Sequence, residues 1–178
     1  MQVISLSSLI EASHDDEEVH RYISTFSSER NEEVQGFLHD KAIYCERRSL
    51  TRTSLIVDEE NNNEIIGYFA LLIKPFKLMN DVSGSTRNKL TGDKTATVFN
   101  SILIAQLGRS DLYKGKVSGD VILNLALESC QLAYDLVALR IVCVEFDDIP
   151  VLKEFYQSGG FKILQFNNNQ KVLAYFRF

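Results

Sequence analysis

Residues Leu107 to Gly119 read LGRSDLYKGKVSG. The stretch joins an apolar run with the character of a strand, SILIAQL over 101–107, to a long segment whose apolar residues recur at helical spacing. Three glycines (Gly108, Gly115, Gly119) and two lysines (Lys114, Lys116) therefore stand at a strand-to-helix junction. Free backbone N–H groups and the positive end of a helix favour a bound anion at such a place. An ordinary basic loop has the same composition, because an isolated glycine-rich loop is a weak signal. The flanking elements have to separate the two readings.

Downstream, Val117, Val121, Ile122, Leu125, Leu132, Ala133 and Leu136 fall on one side of a helix, with Asp120, Asn124, Glu128, Gln131 and Asp135 on the other. The spacing predicts a helix over about 117–137 with one face on a sheet. RIVCVEF (140–146) reads as the next strand, parallel to the one before the helix, since a crossover of this length joins them. Asp147, Asp148 and Pro150 open a short helix that Gly159 and Gly160 close. Phe161–Phe166 and Val172–Phe176 form a hairpin across the turn NNNQ.

Upstream, Val3 to Leu6 suits an edge strand, and Ser13 is the expected N-cap of a helix whose first turn holds Asp15, Asp16, Glu17 and Glu18. A second helix is expected over Ser28 to Glu46, with Val34, Phe37, Leu38, Ala42 and Cys45 on its buried face. Ser54–Asp58 and Ile65–Ile73 read as a hairpin through EENNNE. Residues 74–100 then bring Lys74, Lys77, Arg87, Lys89 and Lys94 against Asp81 and Asp93 alone, a basic irregular insertion that faces substrate or solvent.

The chain of 178 residues is long enough for one domain, 1–178, with its own core. A net charge of −5 argues against broad nucleic-acid affinity without excluding a local basic patch. The N-terminus lacks the pattern of a secretory signal and no apolar run approaches the ~20 residues of a membrane span, so a cytoplasmic location is expected. Cys45, Cys130 and Cys143 lack metal or disulfide spacing and read as reduced thiols. His14, His20 and His39 show no ligand spacing, so no metal is expected.

In that order, ILIAQLGRSDLYKGKVSGDVILNLAL, RIVCVEF and VLKEFYQSGGF resemble the GNAT superfamily of acyl-CoA-dependent N-acyltransferases. The resemblance implies an α/β (α+β) fold. Its mixed, mainly antiparallel sheet would have six to seven strands, about four flanking helices and a parallel strand pair at the cofactor fork. It implies acetyl-CoA as co-substrate, with Lys114, Gly115, Lys116, Val117, Ser118 and Gly119 around the pyrophosphate. Leu107, Gly108 and Arg109 would present main-chain groups to the pantetheine arm and thioester. Val117 departs from the family's pattern, which has glycine there. EEVQGFLHDKA, GYFALLIK and IAQLGR are similar to the toxin-type branch, which acetylates aminoacyl-tRNA and pairs with small antitoxins. The acidic charge disfavours a tRNA or antitoxin partner, and Ala105 and Gln106 stand where that branch has glycine and arginine. No membrane partner is implied, and a homodimer is allowed.

Acyl transfer to an amine needs a polarised carbonyl, a neutral amine and a proton for the leaving thiolate. The resemblance gives the last role to Tyr156, whose ordinary pKa is near 10; a core aromatic beside Phe155 and Phe161 is the competing reading. Glu145 is the best-placed carboxylate for a base, or else a partner of Arg140. The expected activity is direct acetyl transfer from acetyl-CoA to a primary amine in a ternary complex. A non-catalytic acyl-CoA-binding or partner-binding module is the alternative.

Overall fold

The computed structural model describes residues 1–13 and 15–178, and His14 lies outside the described residues. Seven strands form one sheet in the order β1-β2-β3-β4-β5-β7-β6. By contacts the chain makes two units, residues 1–72 with 105–126 and residues 73–104 with 127–178. Strands β3 (Glu64–Lys77) and β4 (Val98–Arg109) and helix α6 (Gly119–Val137) contribute to both.

In the first unit, β1 (Gln2–Ser5) pairs antiparallel with β2 (Arg52–Asp58), and β2 with β3, setting Leu55 opposite Tyr68. The Asn-rich turn forms as expected, with Asn62 and Asn63 at φ 51° and 55°, a left-handed conformation that asparagine tolerates. Leu6, Ile10, Val19, Ile23, Phe26, Leu38 and Ala42 cluster on Leu55, Val57 and Tyr68 as the core.

The helices of this unit differ from the sequence reading at their ends. Leu6–Ala12 is a helix, α1, capped by the Ser5 side chain. Ser13 closes α1 through its N–H instead of opening the next helix, and Asp15 caps α2 (Asp16–Ile23). In elements of seven or eight residues, a cap two positions away looks the same in the sequence. The second helix begins after Asn31, not Ser28, because the Ser28 N–H is held by the Gln35 side chain (2.8 Å) while Asn31 caps Val34. It runs as α3 (Glu32–Gly36), a π turn (Phe37–Lys41) and α4 (Ala42–Arg47).

In the second unit, the irregular insertion is mostly regular. β3 continues to Lys77, α5 (Gly84–Thr91) is capped by Ser83 and closed by Gly92 at φ 87°, and β4 begins at Val98. Arg87 explains the order. Its guanidinium donates to the carbonyls of Val82 (2.9 Å), Ala96 (2.6 Å) and Met79 (2.6 Å), and so fastens both ends of α5. The parallel pair is present, with Ile102 opposite Val142 and Leu103 opposite Cys143 of β5 (Ile141–Phe146). β7 (Val172–Arg177) pairs antiparallel with β5 and with β6 (Lys162–Phe166). Helix α7 (Pro150–Ser158) carries proline in its first turn and ends at Gly159. Cys130 and Cys143 are free and buried, and burial pushes both thiols up to about 12, which leaves them unreactive. No helix among the described residues is long and apolar enough to cross a membrane.

Candidate acetyl-transfer site

The strand end at 107–109 is held by close backbone approach in the first unit. β4 stays extended to Arg109, and the Ser110 N–H then donates to the Ile66 carbonyl of β3 (2.8 Å). Gly108 has no room for a side chain. An added Cβ would lie 2.5 Å from Val34 Cγ1 and 3.1 Å from the rings of Phe26 and Tyr68. Across from it, a Cβ on Gly67 would meet the Gly108 carbonyl at 2.6 Å. Two glycines thus let these strands run closer than any side chain permits.

Ser110 caps a 3-10 turn (Asp111–Tyr113), and the chain then winds tightly into α6. The Tyr113 carbonyl accepts from both Lys116 N–H and Val117 N–H (3.0 Å each), while Lys114 N–H donates to Asp111 (3.1 Å). Gly115 sits at φ 78°, left-handed, with nothing within 4 Å of an added Cβ, so glycine serves the backbone there and not space. The Val117 φ is not positive, and its carbonyl accepts from the Arg109 guanidinium (2.8 Å). Helix α6 starts at Gly119, not at Val117. The apolar Val117 fits the helical pattern, but its amide belongs to the preceding turn.

The amides of Lys114, Lys116 and Val117 are already bonded within the turn. The first N–H groups of a helix lack an intrahelical partner; in α6 the Val121 N–H already donates to the Ser118 carbonyl (3.2 Å), which leaves the amides of Gly119 and Asp120 as the candidate anion donors. The exposed ammonium groups of Lys114 and Lys116 add positive charge, and Asp120 in the same turn subtracts from it. The donor chemistry fits a pyrophosphate: amides at a positive helix end flanked by two cations.

Three anchors that the sequence does not reveal fix the turn. The buried Tyr113 hydroxyl donates to the Asp58 carboxylate at 2.9 Å, and burial pushes this phenol up to about 12. The Asp111 carboxylate accepts the Glu29 N–H (2.8 Å) and the Ser27 hydroxyl (3.4 Å), and Asp111 N–H donates to the Ser27 carbonyl (2.8 Å). Lys116 lies 5.4 Å from the centre of the Tyr113 ring. Elsewhere in the unit, α2, the π turn and α4 border a hollow of about 690 Å³ that includes His20, His39, Asp40, Tyr44 and the paired Asp16 and Arg47.

Tyr156 belongs to α7 in the second unit. Its ring packs on Phe146 (4.8 Å between centres), Phe155 (5.0 Å) and Phe161 (5.7 Å) and keeps part of its surface open. Burial pushes its phenol up to about 12. It is thus a half-buried phenol in an aromatic cluster. Glu145 does not pair with Arg140. Its oxygens accept from Lys74 Nζ (2.6 Å) and Asn167 Nδ2 (2.6 Å), beside a hollow of about 270 Å³ lined also by Phe76 and Gln165. A carboxylate with both oxygens engaged is poorly placed to take a proton. The Gln165 amide continues the network, donating to the Lys77 carbonyl and accepting the Met79 N–H.

No protein-family model and no curated protein sequence matches the chain. Solved structures do match in fold. A tyrosine-to-phenylalanine mutant of KacT aligns with a TM-score of 0.74 at 16% identity, covering 99% of this chain and 94% of that one. AtaT complexed with acetyl-methionyl-tRNAfMet aligns at 0.72 and 18% identity, covering 99% and 94%. A mutant of the AtaT toxin bound to the C-terminus of the antitoxin AtaR and acetyl-CoA aligns at 0.70 and 18%, covering 99% and 92%. At these identities the likeness establishes the fold, which is the GNAT-like α/β architecture with its parallel strand pair.

Proposed function

We propose that the chain is an acetyl-CoA-dependent N-acetyltransferase, a single domain over 1–178, that moves an acetyl group to a primary amine by direct transfer in a cytoplasmic ternary complex. The observation that carries this reading is the anchored turn between β4 and α6, with its first-turn amides and two lysines, on a fold shared with a protein solved with acetyl-CoA. When bound, acetyl-CoA supplies an activated acetyl thioester. The chain's own residues do the rest. The turn after Ser118 holds the pyrophosphate. The extended backbone at Leu107–Arg109 offers a rigid main-chain donor to the thioester carbonyl, where a preorganised N–H stabilises developing negative charge. Tyr156 holds a proton on its phenol through neutral pH and delivers it to the departing sulfur.

Fold likeness to AtaT in complex with acetyl-methionyl-tRNAfMet favours a second reading, acetylation of aminoacyl-tRNA with a small antitoxin as partner. The net charge of −5 speaks against it. Titration with acetyl-CoA followed by a coenzyme A release assay over an amine panel and charged tRNA tests both. Release with small amines supports the main reading, and release with charged tRNA alone supports the second. Binding without release leaves a non-catalytic acyl-CoA module, and no binding at millimolar acetyl-CoA refutes all three. With an active acceptor in hand, Tyr156→Phe lowers kcat far more than acetyl-CoA affinity; unchanged kcat removes Tyr156 from its role.

A further inference from the structure

The strand end that meets the thioester rests on a side chain to which neither the sequence motifs nor the proton-transfer scheme assigns a part. Tyr68 of β3 is fully buried, and its hydroxyl donates to the Val34 carbonyl at 2.5 Å. That carbonyl lies where α3 opens into the π turn. Within the turn, hydrogen bonds reach one residue further than in an α-helix, as Ala42 N–H to Phe37 carbonyl does. The Val34 carbonyl also accepts the Phe37 N–H, so the Tyr68 hydroxyl is a second donor to it, from another element, and fills its other lone pair.

The Tyr68 ring is fixed on several sides. It stacks parallel to Phe37 (6.3 Å, 2°) and takes the edge of Phe26 (5.2 Å, 87°). Gly108 lies against the same ring, with only the width of a glycine between them. The residue before Tyr68 is Gly67, which admits the Gly108 carbonyl, and the one before that, Ile66, accepts from Ser110 N–H. The consecutive residues Ile66, Gly67 and Tyr68 thus set the position of β4 from Gly108 to Ser110. A rotation of the Tyr68 ring moves the Gly108 peptide, because interiors packed to this density transmit small shifts. The hydroxyl bond to Val34 adds a directional restraint to that packing.

We propose that Tyr68 is a positioning residue for acetyl transfer: by bonding the Val34 carbonyl at the π turn it holds the Gly108 backbone where it can meet the acetyl carbonyl. The inference rests on the acetyl-CoA reading above. It also separates the two halves of the cofactor site. The pyrophosphate meets the turn after Ser118, which Tyr68 does not touch, whereas the acetyl carbonyl meets the strand end, which it does. Loss of the hydroxyl therefore acts on acetyl recognition and spares recognition of the nucleotide end.

The test is calorimetric titration of the full chain and of Tyr68→Phe with acetyl-CoA and, separately, with coenzyme A. Wild type is expected to bind acetyl-CoA more tightly than coenzyme A. Tyr68→Phe is expected to reduce that preference about fivefold, the worth of one neutral hydrogen bond, with coenzyme A affinity unchanged. Gly108→Ala, whose Cβ collides with Val34 and the Tyr68 ring, is expected to give the same signature. A purely structural role would weaken both ligands alike, and that result, or a preserved preference in a folded Tyr68→Phe, overturns the proposal. Amide exchange over residues 37–42 and 107–109 shows whether the bond was released; unchanged exchange with a lost preference also overturns it. Wild type that binds neither ligand refutes the acetyl-CoA reading itself, whereas wild type that binds both with equal affinity refutes only the positioning role.

Discussion

Replacing Tyr113 by phenylalanine removes one hydroxyl and leaves the ring, so Lys116 keeps its aromatic partner and the core keeps its volume. What is lost is the 2.9 Å bond to Asp58. A hydrogen bond to an ionised acceptor contributes roughly 1.5–3 kcal/mol. Asp58 is partly exposed, so water replaces some of the interaction and the lower figure, about 1.5 kcal/mol, applies. For a chain of this size each kcal/mol shifts Tm by roughly 2–4 °C, so a fall of about 4 °C is expected. If the whole loss bears on the turn after Ser110, the competent fraction falls by up to about tenfold, and apparent affinity falls with it. The nucleotide end is common to both ligands, so coenzyme A and acetyl-CoA should weaken equally in titration. Asp58→Asn, which retains an acceptor, should show a smaller loss of the same kind. A lowered Tm with unchanged coenzyme A affinity would mean that the anchored turn does not hold the pyrophosphate. Selective loss of acetyl-CoA would mean that the anchor serves the acyl end instead.

Three further outcomes follow from the geometry. Val117→Gly removes the side chain beside the first turn of α6; titration should show coenzyme A binding about threefold tighter, with stability lower by roughly 0.5–1 kcal/mol from added backbone freedom, and weaker binding would show the turn misassigned as a pyrophosphate site. Arg87→Met should cost about 3 kcal/mol, because three bonds from a charged donor are lost with partial replacement by water; amide exchange should accelerate across 79–97, and unaltered protection there would refute the role given to Arg87. The proton-donor role requires the protonated phenol, and burial pushes Tyr156 up to about 12, so kcat with an amine substrate should hold level through pH 10 and fall only as pH approaches 12. An alkaline loss centred near 10 that disappears in Tyr156→Phe would contradict the buried setting of that phenol.

The segments legible in the sequence were those with long periodicity. Helix α6 repeats its apolar face over nineteen residues, and the strands beside it are nearly continuous apolar runs, so the β4-α6-β5 order could be read from patterns alone. Element ends were less legible, since Ser13 and Val117 each satisfy a local rule that a neighbouring bond overrides. The basic residues of 74–100 looked irregular because their partners are backbone carbonyls and a distant glutamine, Gln165, which no spacing rule can find. Likewise the π turn is supported by Tyr68, which lies thirty-four residues beyond Val34 in the chain. Gly67 did carry a signal: a lone glycine in a strand marks a close backbone approach. Its partner, Gly108, was picked out for a different reason.

Charge bears on which acceptor the site takes. The first unit holds sixteen acids against nine lysines and arginines, and the second holds eight against ten. A nucleic-acid acceptor draws its affinity from cations set against phosphates, so it would depend on the second unit, whose basic residues gather in 74–100. Two of those five are already engaged. Lys74 is bound to Glu145, and Arg87 has turned its guanidinium onto three carbonyls. Lys77, Lys89 and Lys94 remain exposed there, interspersed with Asp81 and Asp93. Three scattered lysines supply few phosphate contacts. Charge therefore bears on the choice of acceptor and not on the acetyl donor, which both proposed acceptors would share.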